Sequence, residues 1–199
     1  MRYAKQRVYL VRHGETAWSV SRQHTGSTDI PLTPHGREIA ARLAPVLSEA
    51  EFAEVLVSPL QRARDTCELA GFGARAHVEQ ALCEWNYGRY EGLTPEQILA
   101  QDPEWLIFRD GCPGGESPAQ IGARVDWVIG KVRAVPGHVV LFSHGHFLRA
   151  LAAGWLGMPV SAGCHFMLDT ATVSVLSYYH DVGAIERWNM GLATAGVSS

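Results

Sequence analysis

The sequence predicts an α/β protein, a three-layer α/β/α sandwich around a mostly parallel central sheet. Three short apolar runs, at residues 8–11, 55–57 and 139–142, are each followed at once by a polar turn. Continuous apolar runs of this kind are typical of parallel strands that are covered on both faces. Helical patterns lie between the runs, and this alternation of strand and helix is the pattern of α/β folds.

The elements can be placed in chain order from local signals. After the first strand, Thr33 offers an N-cap and Pro34 suits the first helical position, so a helix is expected over residues 35–49. After the second strand, Pro59 opens a helix that runs to about Ala70. Apolar spacing predicts further helices at 94–101, 117–134 and 145–156, and further strands at 172–179 and 184–188.

Length and composition limit the kind of protein. A chain of 199 residues favours one domain spanning 1–199, and 47% apolar residues are enough to bury a core without a metal or disulfide. The net charge of −3 argues against a nucleic-acid partner, since such proteins carry a strongly basic face. A small anionic substrate would therefore need a local basic pocket.

Cysteine spacing and hydropathy bear on the compartment. Cys67, Cys83, Cys112 and Cys164 are far apart and form no CxxC pair, which favours reduced thiols over a zinc site or disulfides. The apolar run after Arg7 stops at Arg12, and no stretch approaches the ~20 apolar residues of a membrane span. We expect a cytoplasmic protein with no membrane partner.

The polar turn after the first strand carries reactive side chains. Arg12 offers a planar fork of donors that matches two phosphate oxygens. His13 titrates near neutrality and is a nucleophile once one ring nitrogen lacks its proton. Gly14 would let the backbone approach a bound group. Taken alone, this tripeptide is equally consistent with an ordinary surface turn.

The other two turns add basic and imidazole groups. Arg62 follows Ser58-Pro59 near a helix N-terminus, a position that favours anions, although an isolated arginine there is often only solvated. His144 and His146 flank Gly145 directly after the third apolar run. Because ligands of open α/β sheets bind beyond the carboxyl ends of the strands, we expect the three turns to form one site.

Four blocks in order resemble the histidine phosphatase superfamily, also called the phosphoglycerate mutase-like family. The first is Leu10-Val11-Arg12-His13-Gly14-Glu15-Thr16, and the second is residues 58–63. Leu82-Cys83-Glu84, followed by Tyr87-Gly88 and Glu91-Gly92, is similar to the block that holds the acid/base, and Ser143-His144-Gly145 is similar to the last block. The blocks span about two-thirds of the chain.

The resemblance implies a role for each matching residue. His13 would attack phosphorus and carry the phosphoryl group as phosphohistidine. Arg12, Arg62 and His144 would surround the phosphate oxygens, where charge spreads in the transition state. Glu84 would protonate the leaving oxygen and then take a proton from water. The implied enzyme is a phosphatase of a small phosphorylated metabolite that needs no metal or other cofactor.

The resemblance also points to substrate-binding residues and to a substrate class. The positions involved are Arg12, Thr25, Gly26, Arg62, Tyr87, Gly145 and His146. Residues 25–32 and His146-Phe147 look like the sugar-bisphosphatase members of the family. Ser19 departs from the family, because mutases place an asparagine there, so we leave it outside the phosphate ligands.

The remaining histidines and several tryptophans are expected to have structural roles. We expect surface or structural positions for His24, His35, His77, His138, His165 and His180. We expect Trp85, Trp105 and Trp127 to pack, and we expect Trp85 also to line the pocket because it adjoins Glu84.

Three alternatives remain open at this stage. A phosphoglycerate mutase would grip its substrate with extra cations after the acid/base block, but residues 92–116 contain one basic residue, Arg109. A metal-dependent hydrolase could use His144 and His146, although Arg149 rather than a carboxylate follows. A non-catalytic phosphate-binding protein would be expected to lose His13 or Glu84, and both are present. Oligomeric state is not indicated.

Overall fold

The computed structural model describes residues 6–191, and in them six strands form one mixed sheet. The strands are β1 (Val8–Arg12), β2 (Phe52–Val57), β3 (His77–Val78), β4 (His138–Ser143), β5 (Val173–Tyr179) and β6 (Val182–Met190). Their order across the sheet is β3-β2-β4-β1-β5-β6. The first four in this order run parallel, while β5 and β6 are antiparallel to their neighbours. The predicted mostly parallel sheet is confirmed.

Eight α-helices lie between these strands within the same residues. They are α1 (Ala17–Val20), α2 (Pro34–Ala41), α3 (Leu43–Leu47), α4 (Gln61–Leu69), α5 (Pro95–Leu99), α6 (Ile107–Asp110), α7 (Pro118–Arg133) and α8 (Gly145–Trp155). Short 3₁₀ segments occur at Gly73–Arg75, Gln80–Leu82, Gly88–Tyr90 and Val160–His165. None of the helices in the described part of the chain is long and apolar enough to cross a membrane.

The predicted helix over residues 35–49 is two helices. Its start is as expected, because the Thr33 side chain accepts a hydrogen bond from the Gly36 N–H and Pro34 follows the cap. The first helix ends at Ala41, and α3 begins at Leu43. The break follows from Pro45, which lacks an N–H and whose ring clashes with the carbonyl four residues earlier, that of Ala41.

Side chains of successive strand residues enter two cores on opposite faces of the sheet. Leu10 packs in a cluster with residues of α7 and α8, such as Val125 and Leu151. Its neighbour Val11 packs in a second cluster with residues of α3 and α4, such as Leu43. Alternation of side chains along a strand produces this division, and helices on both faces give the three layers that the sequence predicts.

One predicted packing residue is exposed. Trp85 is fully buried and Trp105 packs against the first core, as expected. The side chain of Trp127 is 51% exposed on α7, where the Lys131 ammonium lies 5.1 Å from its ring. The prediction for Trp127 is wrong because it occupies the solvent side of an amphipathic helix, between core positions Val125 and Val128.

Candidate active site

The three polar turns meet at one edge of the sheet. Strand β4 lies between β2 and β1, and Arg12 is opposite Ser143 in the register. Val57, the last residue of β2, is opposite Phe142. Because these strands are parallel, their carboxyl ends lie side by side, and the turns that follow are brought together as predicted.

A cavity of about 270 Å³ opens at this edge. Seven of the ten predicted catalytic or binding residues line it, namely Arg12, His13, Thr25, Glu84, Tyr87, Gly145 and His146. The other three, Gly26, Arg62 and His144, lie outside the lining. Trp85 also lies outside it, with its ring packed edge-on against Phe108.

The tautomer of His13 is set by its neighbour in the chain. Its Nδ1 lies 2.7 Å from the Gly14 carbonyl oxygen. A carbonyl only accepts, so Nδ1 carries the proton and Nε2 keeps a lone pair. Burial, followed by the positive charges of Arg62 and Arg12, holds the pKa of His13 well below its ordinary value. The imidazole is therefore neutral at pH 7, in the form that a nucleophile requires.

Arg12 lines the cavity, and its guanidinium lies close to the start of α8. Its Nη1 donates to the Leu168 carbonyl, while its Nε is buried and has no hydrogen-bond partner among the described residues. A Cβ atom added to Gly145 would lie 3.2 Å from both Cζ and Nε of Arg12. The absence of a side chain at Gly145 therefore allows the guanidinium to lie against the helix N-terminus.

The carboxylate of Glu84 is held by backbone N–H groups. Its Oε1 accepts from the N–H of Trp85 and of Phe147, each at 2.9 Å, and Oε2 accepts from the N–H of His146 at 3.0 Å. Two of these donors belong to the first turn of α8, whose N–H groups have no partner within the helix. The three bonds fix the orientation of the Glu84 carboxyl group in the cavity.

Arg62 and His144 form a buried pair that adjoins His13 outside the cavity lining. Arg62 Nε donates to His144 Nδ1 at 3.1 Å, so the proton of the imidazole is on Nε2, which donates to Ser58 Oγ at 2.7 Å. The His144 ring centroid lies 5.2 Å from that of His13. Burial and the charge of Arg62 hold the pKa of His144 well below its ordinary value. Both ring nitrogens of His144 are thus engaged by protein groups.

A second pair of imidazoles forms part of the cavity wall. The rings of His24 and His146 are stacked, with centroids 5.8 Å apart and planes 2° from parallel. His24 Nδ1 lies 3.1 Å from the Leu93 carbonyl oxygen, and His146 Nδ1 lies 2.6 Å from the Tyr87 hydroxyl. Burial is the largest cause lowering the pKa of both imidazoles. This part of the cavity presents neutral groups that form hydrogen bonds.

Seven cavity residues lie outside the predicted set, and two of them bear on the chemistry of the site. The seven are Ser19, Arg22, Gln23, His24, Pro95, Arg149 and Leu168. His24 was expected to have a surface or structural position, but it is buried and lines the cavity beside Thr25. Arg149 also lines the cavity, and its guanidinium lies 4.7 Å from the Phe108 ring. A usable signal existed for Arg149, since it is three residues after His146 on the same helix and shares its face.

The structure offers no support for a metal at His144 and His146. Within residues 6–191, no group of three or more His, Cys, Asp or Glu side chains is arranged to hold a metal ion. The hydrogen bonds of His144 also leave neither of its nitrogens free for a metal. Positive charge at this site comes from arginine side chains.

Comparison with known proteins identifies the family. Residues 8–191 match the histidine phosphatase superfamily (branch 1). The chain belongs to this superfamily. An acid phosphatase of Mycobacterium tuberculosis is 42% identical over 180 residues, with 88% of each chain covered. A sedoheptulose 1,7-bisphosphatase of Saccharomyces cerevisiae is 31% identical, covering 87% of this chain and 88% of its own.

Two further matches bear on fold and on the mutase alternative. The solved structure of an open reading frame product of Mycobacterium tuberculosis superposes with a TM-score of 0.89 at 38% identity, covering 94% of this chain and 98% of its own. A protein of Photorhabdus laumondii described as a probable phosphoglycerate mutase is 29% identical, covering 91% and 89%. The histidine phosphatase is thus an α/β enzyme that hydrolyses phosphomonoesters.

Proposed function

We propose that this histidine phosphatase hydrolyses a small sugar phosphate or bisphosphate through a phosphohistidine on His13. The observation that carries the proposal is the bond from His13 Nδ1 to the Gly14 carbonyl, which leaves the Nε2 lone pair as the nucleophile in a cavity that Arg12 also lines. The fixed tautomer means that no proton has to leave the ring before attack.

The reaction has two balanced steps. In the first, Nε2 of His13 forms a bond to phosphorus as the ester P–O bond breaks, and Glu84, which is protonated when the substrate is bound, delivers that proton to the leaving oxygen. In the second, water attacks phosphorus, Glu84 takes a proton from that water, and the Nε2–P bond breaks to release inorganic phosphate. The backbone N–H groups that hold Glu84 keep one carboxylate in place for both transfers.

Arginine charge stabilises the transferring group from two positions. Arg12 lines the cavity, and among residues 6–191 its Nε has no hydrogen-bond partner, so we assign Arg12 the direct contact with phosphate oxygens. Arg62 and His144 adjoin His13 outside the cavity lining, and we assign them support of the nucleophile and long-range stabilisation of negative charge. This differs from the sequence-based expectation that both would surround the oxygens directly.

The cavity wall favours a hydroxylated leaving group. His24, His146 and Tyr87 present neutral groups that exchange hydrogen bonds with sugar hydroxyls. Arg149 adds a positive charge that suits a second anionic group of the substrate. The name of the yeast relative, a sedoheptulose 1,7-bisphosphatase, supports the same substrate class.

We favour a phosphatase over a mutase because of the segment after the acid/base block. The resemblance implies that mutases of this family supply cations to the substrate from that segment, and here no basic side chain of residues 92–116 lines the cavity. Arg109, the one basic residue of segment 92–116, is instead exposed and paired with Asp110 at 2.7 Å.

We propose that the reaction takes place in the cytoplasm and without a metal. The free cysteines are consistent with that compartment.

The test is detection of the covalent intermediate. The purified protein is incubated briefly with labelled sugar phosphate, and the reaction is stopped without acid. This is expected to give a phosphoprotein that is labile in acid and stable in base. His13→Ala should abolish label and turnover, while His35→Ala, at an exposed position on α2, should keep both. Label that persists on His13→Ala would refute the assignment.

The same preparation tests the remaining parts of the proposal. A panel of phosphate esters ranks sugar phosphates against alkyl and aryl phosphates. Activity is expected to survive prolonged treatment with EDTA, because arginine side chains replace a cation in the proposed mechanism. Loss of activity that added zinc or manganese restores would contradict metal independence and would favour the metal-dependent alternative at His144 and His146.

A further inference from the structure

Within the described residues, no carboxylate forms an ion pair with the buried guanidinium of Arg62. The Arg62 side chain is fully buried. A buried charge needs compensating polar groups, because its transfer out of water is otherwise very costly. The loop at residues 25–28 supplies these polar groups.

Backbone carbonyls of one loop receive the Arg62 N–H groups. Nη2 donates to the carbonyls of Thr25 and Gly26 at 3.0 and 2.9 Å, and Nη1 donates to the carbonyl of Thr28 at 3.1 Å. The Arg62 Nε donates to His144 Nδ1. The orientation of Arg62, and through it that of His144, therefore depends on residues 25–28 remaining in this conformation.

The carboxylate of Glu91 holds the same loop from its other side. The Gly26 N–H donates to Oε1 at 3.0 Å and to Oε2 at 3.1 Å, and the Thr28 N–H donates to Oε1 at 3.0 Å. A Cβ atom on Gly26 would lie 2.6 Å from Oε2 and 2.7 Å from the Trp85 carbonyl oxygen. Only glycine at position 26 permits this approach.

One peptide unit thus joins the two charged groups. Its carbonyl, that of Thr25, faces the guanidinium of Arg62, and its N–H, that of Gly26, faces the carboxylate of Glu91. Hydrogen bonds with ionised partners are about twice as strong as neutral ones, and bonds in a chain polarise one another. We propose that Glu91 is a positioning residue for hydrolysis, acting through this peptide unit to fix Arg62 beside His144.

The indirect arrangement has a physical consequence for the reaction. A carboxylate in direct contact would fix Arg62 but also neutralise it. With the peptide unit between them, Glu91 orients Arg62 while the positive charge stays available to the phosphoryl group. The inference rests on the proposed function in assigning that electrostatic role to Arg62.

A double-mutant cycle with Arg62 tests the inference. Glu91→Gln and Glu91→Ala are made in the native protein and in Arg62→Ala, and kcat and inhibition by vanadate, which mimics the phosphoryl transition state, are measured for each. Because misplacement of a group by about 1 Å can cost ~10²-fold, Glu91→Ala should lower kcat about 10- to 10²-fold in the native background. Vanadate affinity should fall by a similar factor.

The two variants and the two backgrounds should differ in a definite way. Glu91→Gln should lose less than Glu91→Ala, since its remaining oxygen can accept from both Gly26 and Thr28. In the Arg62→Ala background, Glu91→Ala should cost less than about threefold, because the group that it positions is gone. The control is Glu79→Gln, which changes a carboxylate that also accepts a backbone N–H, that of Ala81, away from the cavity; it should leave kcat unchanged.

Two results would overturn the inference. Equal loss from Glu91→Ala in both backgrounds would mean that Glu91 acts independently of Arg62, and an unchanged kcat in Glu91→Gln and Glu91→Ala would mean that it has no part in the reaction. If Glu91→Ala does not fold, the cycle is completed with Glu91→Gln, and the same comparison decides. Failure of the phosphohistidine mechanism shows separately, as label retained on His13→Ala.

Discussion

Replacing Gly145 by alanine should separate stability from activity. Gly145 begins α8 and its φ is not positive, so alanine can adopt the same backbone conformation. The added Cβ atom would lie 3.2 Å from Cζ and Nε of Arg12, closer than the 3.5–4.0 Å of an ordinary contact. The guanidinium must therefore shift by a few tenths of an ångström, or the helix start must.

Gly145→Ala should affect stability and activity in opposite directions. Glycine to alanine at a compatible position stabilises a protein by about 0.4–1 kcal/mol through the unfolded state, and the close contact offsets part of this gain. The free energy of unfolding should therefore change by less than about 1 kcal/mol. Because we assign Arg12 the contact with phosphate, its displacement should lower kcat/KM about 10- to 10²-fold, or ~1.4–2.7 kcal/mol of transition-state stabilisation.

Urea unfolding and steady-state kinetics on the same preparations measure both quantities. The matched control is Gly130→Ala on α7, where an added Cβ would meet nothing within 4 Å. It should stabilise the protein by up to about 1 kcal/mol and leave kcat/KM unchanged. Native kcat/KM in Gly145→Ala would refute the reasoning, because it would show that the close approach of Arg12 to α8 has no part in catalysis.

Two further predictions concern protons. Glu84→Gln should lower turnover of an alkyl phosphate by ~10²–10⁴-fold. It should slow the phosphorylation burst with p-nitrophenyl phosphate much less, because that leaving group needs little protonation; equal loss on both esters would mean that Glu84 only positions the phosphate. Stability should also fall as pH drops below about 6.5, because burial lowers the folded-state pKa of four histidines while the unfolded chain takes up protons there. The four are His13, His24, His144 and His146, each contributing up to about 1.4 kcal/mol per pH unit; urea titrations from pH 8 to 5 that show no loss would contradict this.

The sheet was largely predictable because buried parallel strands leave a strong signal. The predicted runs 8–11, 55–57 and 139–142 are the cores of β1, β2 and β4, and each is followed by its polar turn. Strand β3 has only two residues, both exposed, so no apolar pattern marks it. The short helices α1 and α6, of four residues each, lack the length over which periodicity is visible. The single-domain organisation stays a prediction.

The candidate site was predictable as a set of residues but not as a geometry. Motifs place Arg12, Arg62 and His144 near one another, and the structure does the same. Whether a side chain faces the cavity or its neighbours depends on partners that are remote in sequence, such as the carbonyls of residues 25–28 that hold Arg62. The position of His24 is set in the same way, by its bond to Leu93 and its contact with His146.

The low pKa of His13 poses a problem that substrate binding itself resolves. Burial and the charges of Arg62 and Arg12 keep the imidazole neutral, but a base with a low pKa is also a weaker nucleophile. In the proposed mechanism, the same two cations stabilise an incoming phosphate. When the negatively charged phosphate group binds, its charge offsets the positive charge of the arginines at the imidazole. The electrostatic effect of the arginines on Nε2 is therefore smaller at the moment of attack. Burial, followed by the two arginines, therefore keeps His13 unprotonated in the free enzyme, and we expect the bound phosphate to offset the contribution of the arginines.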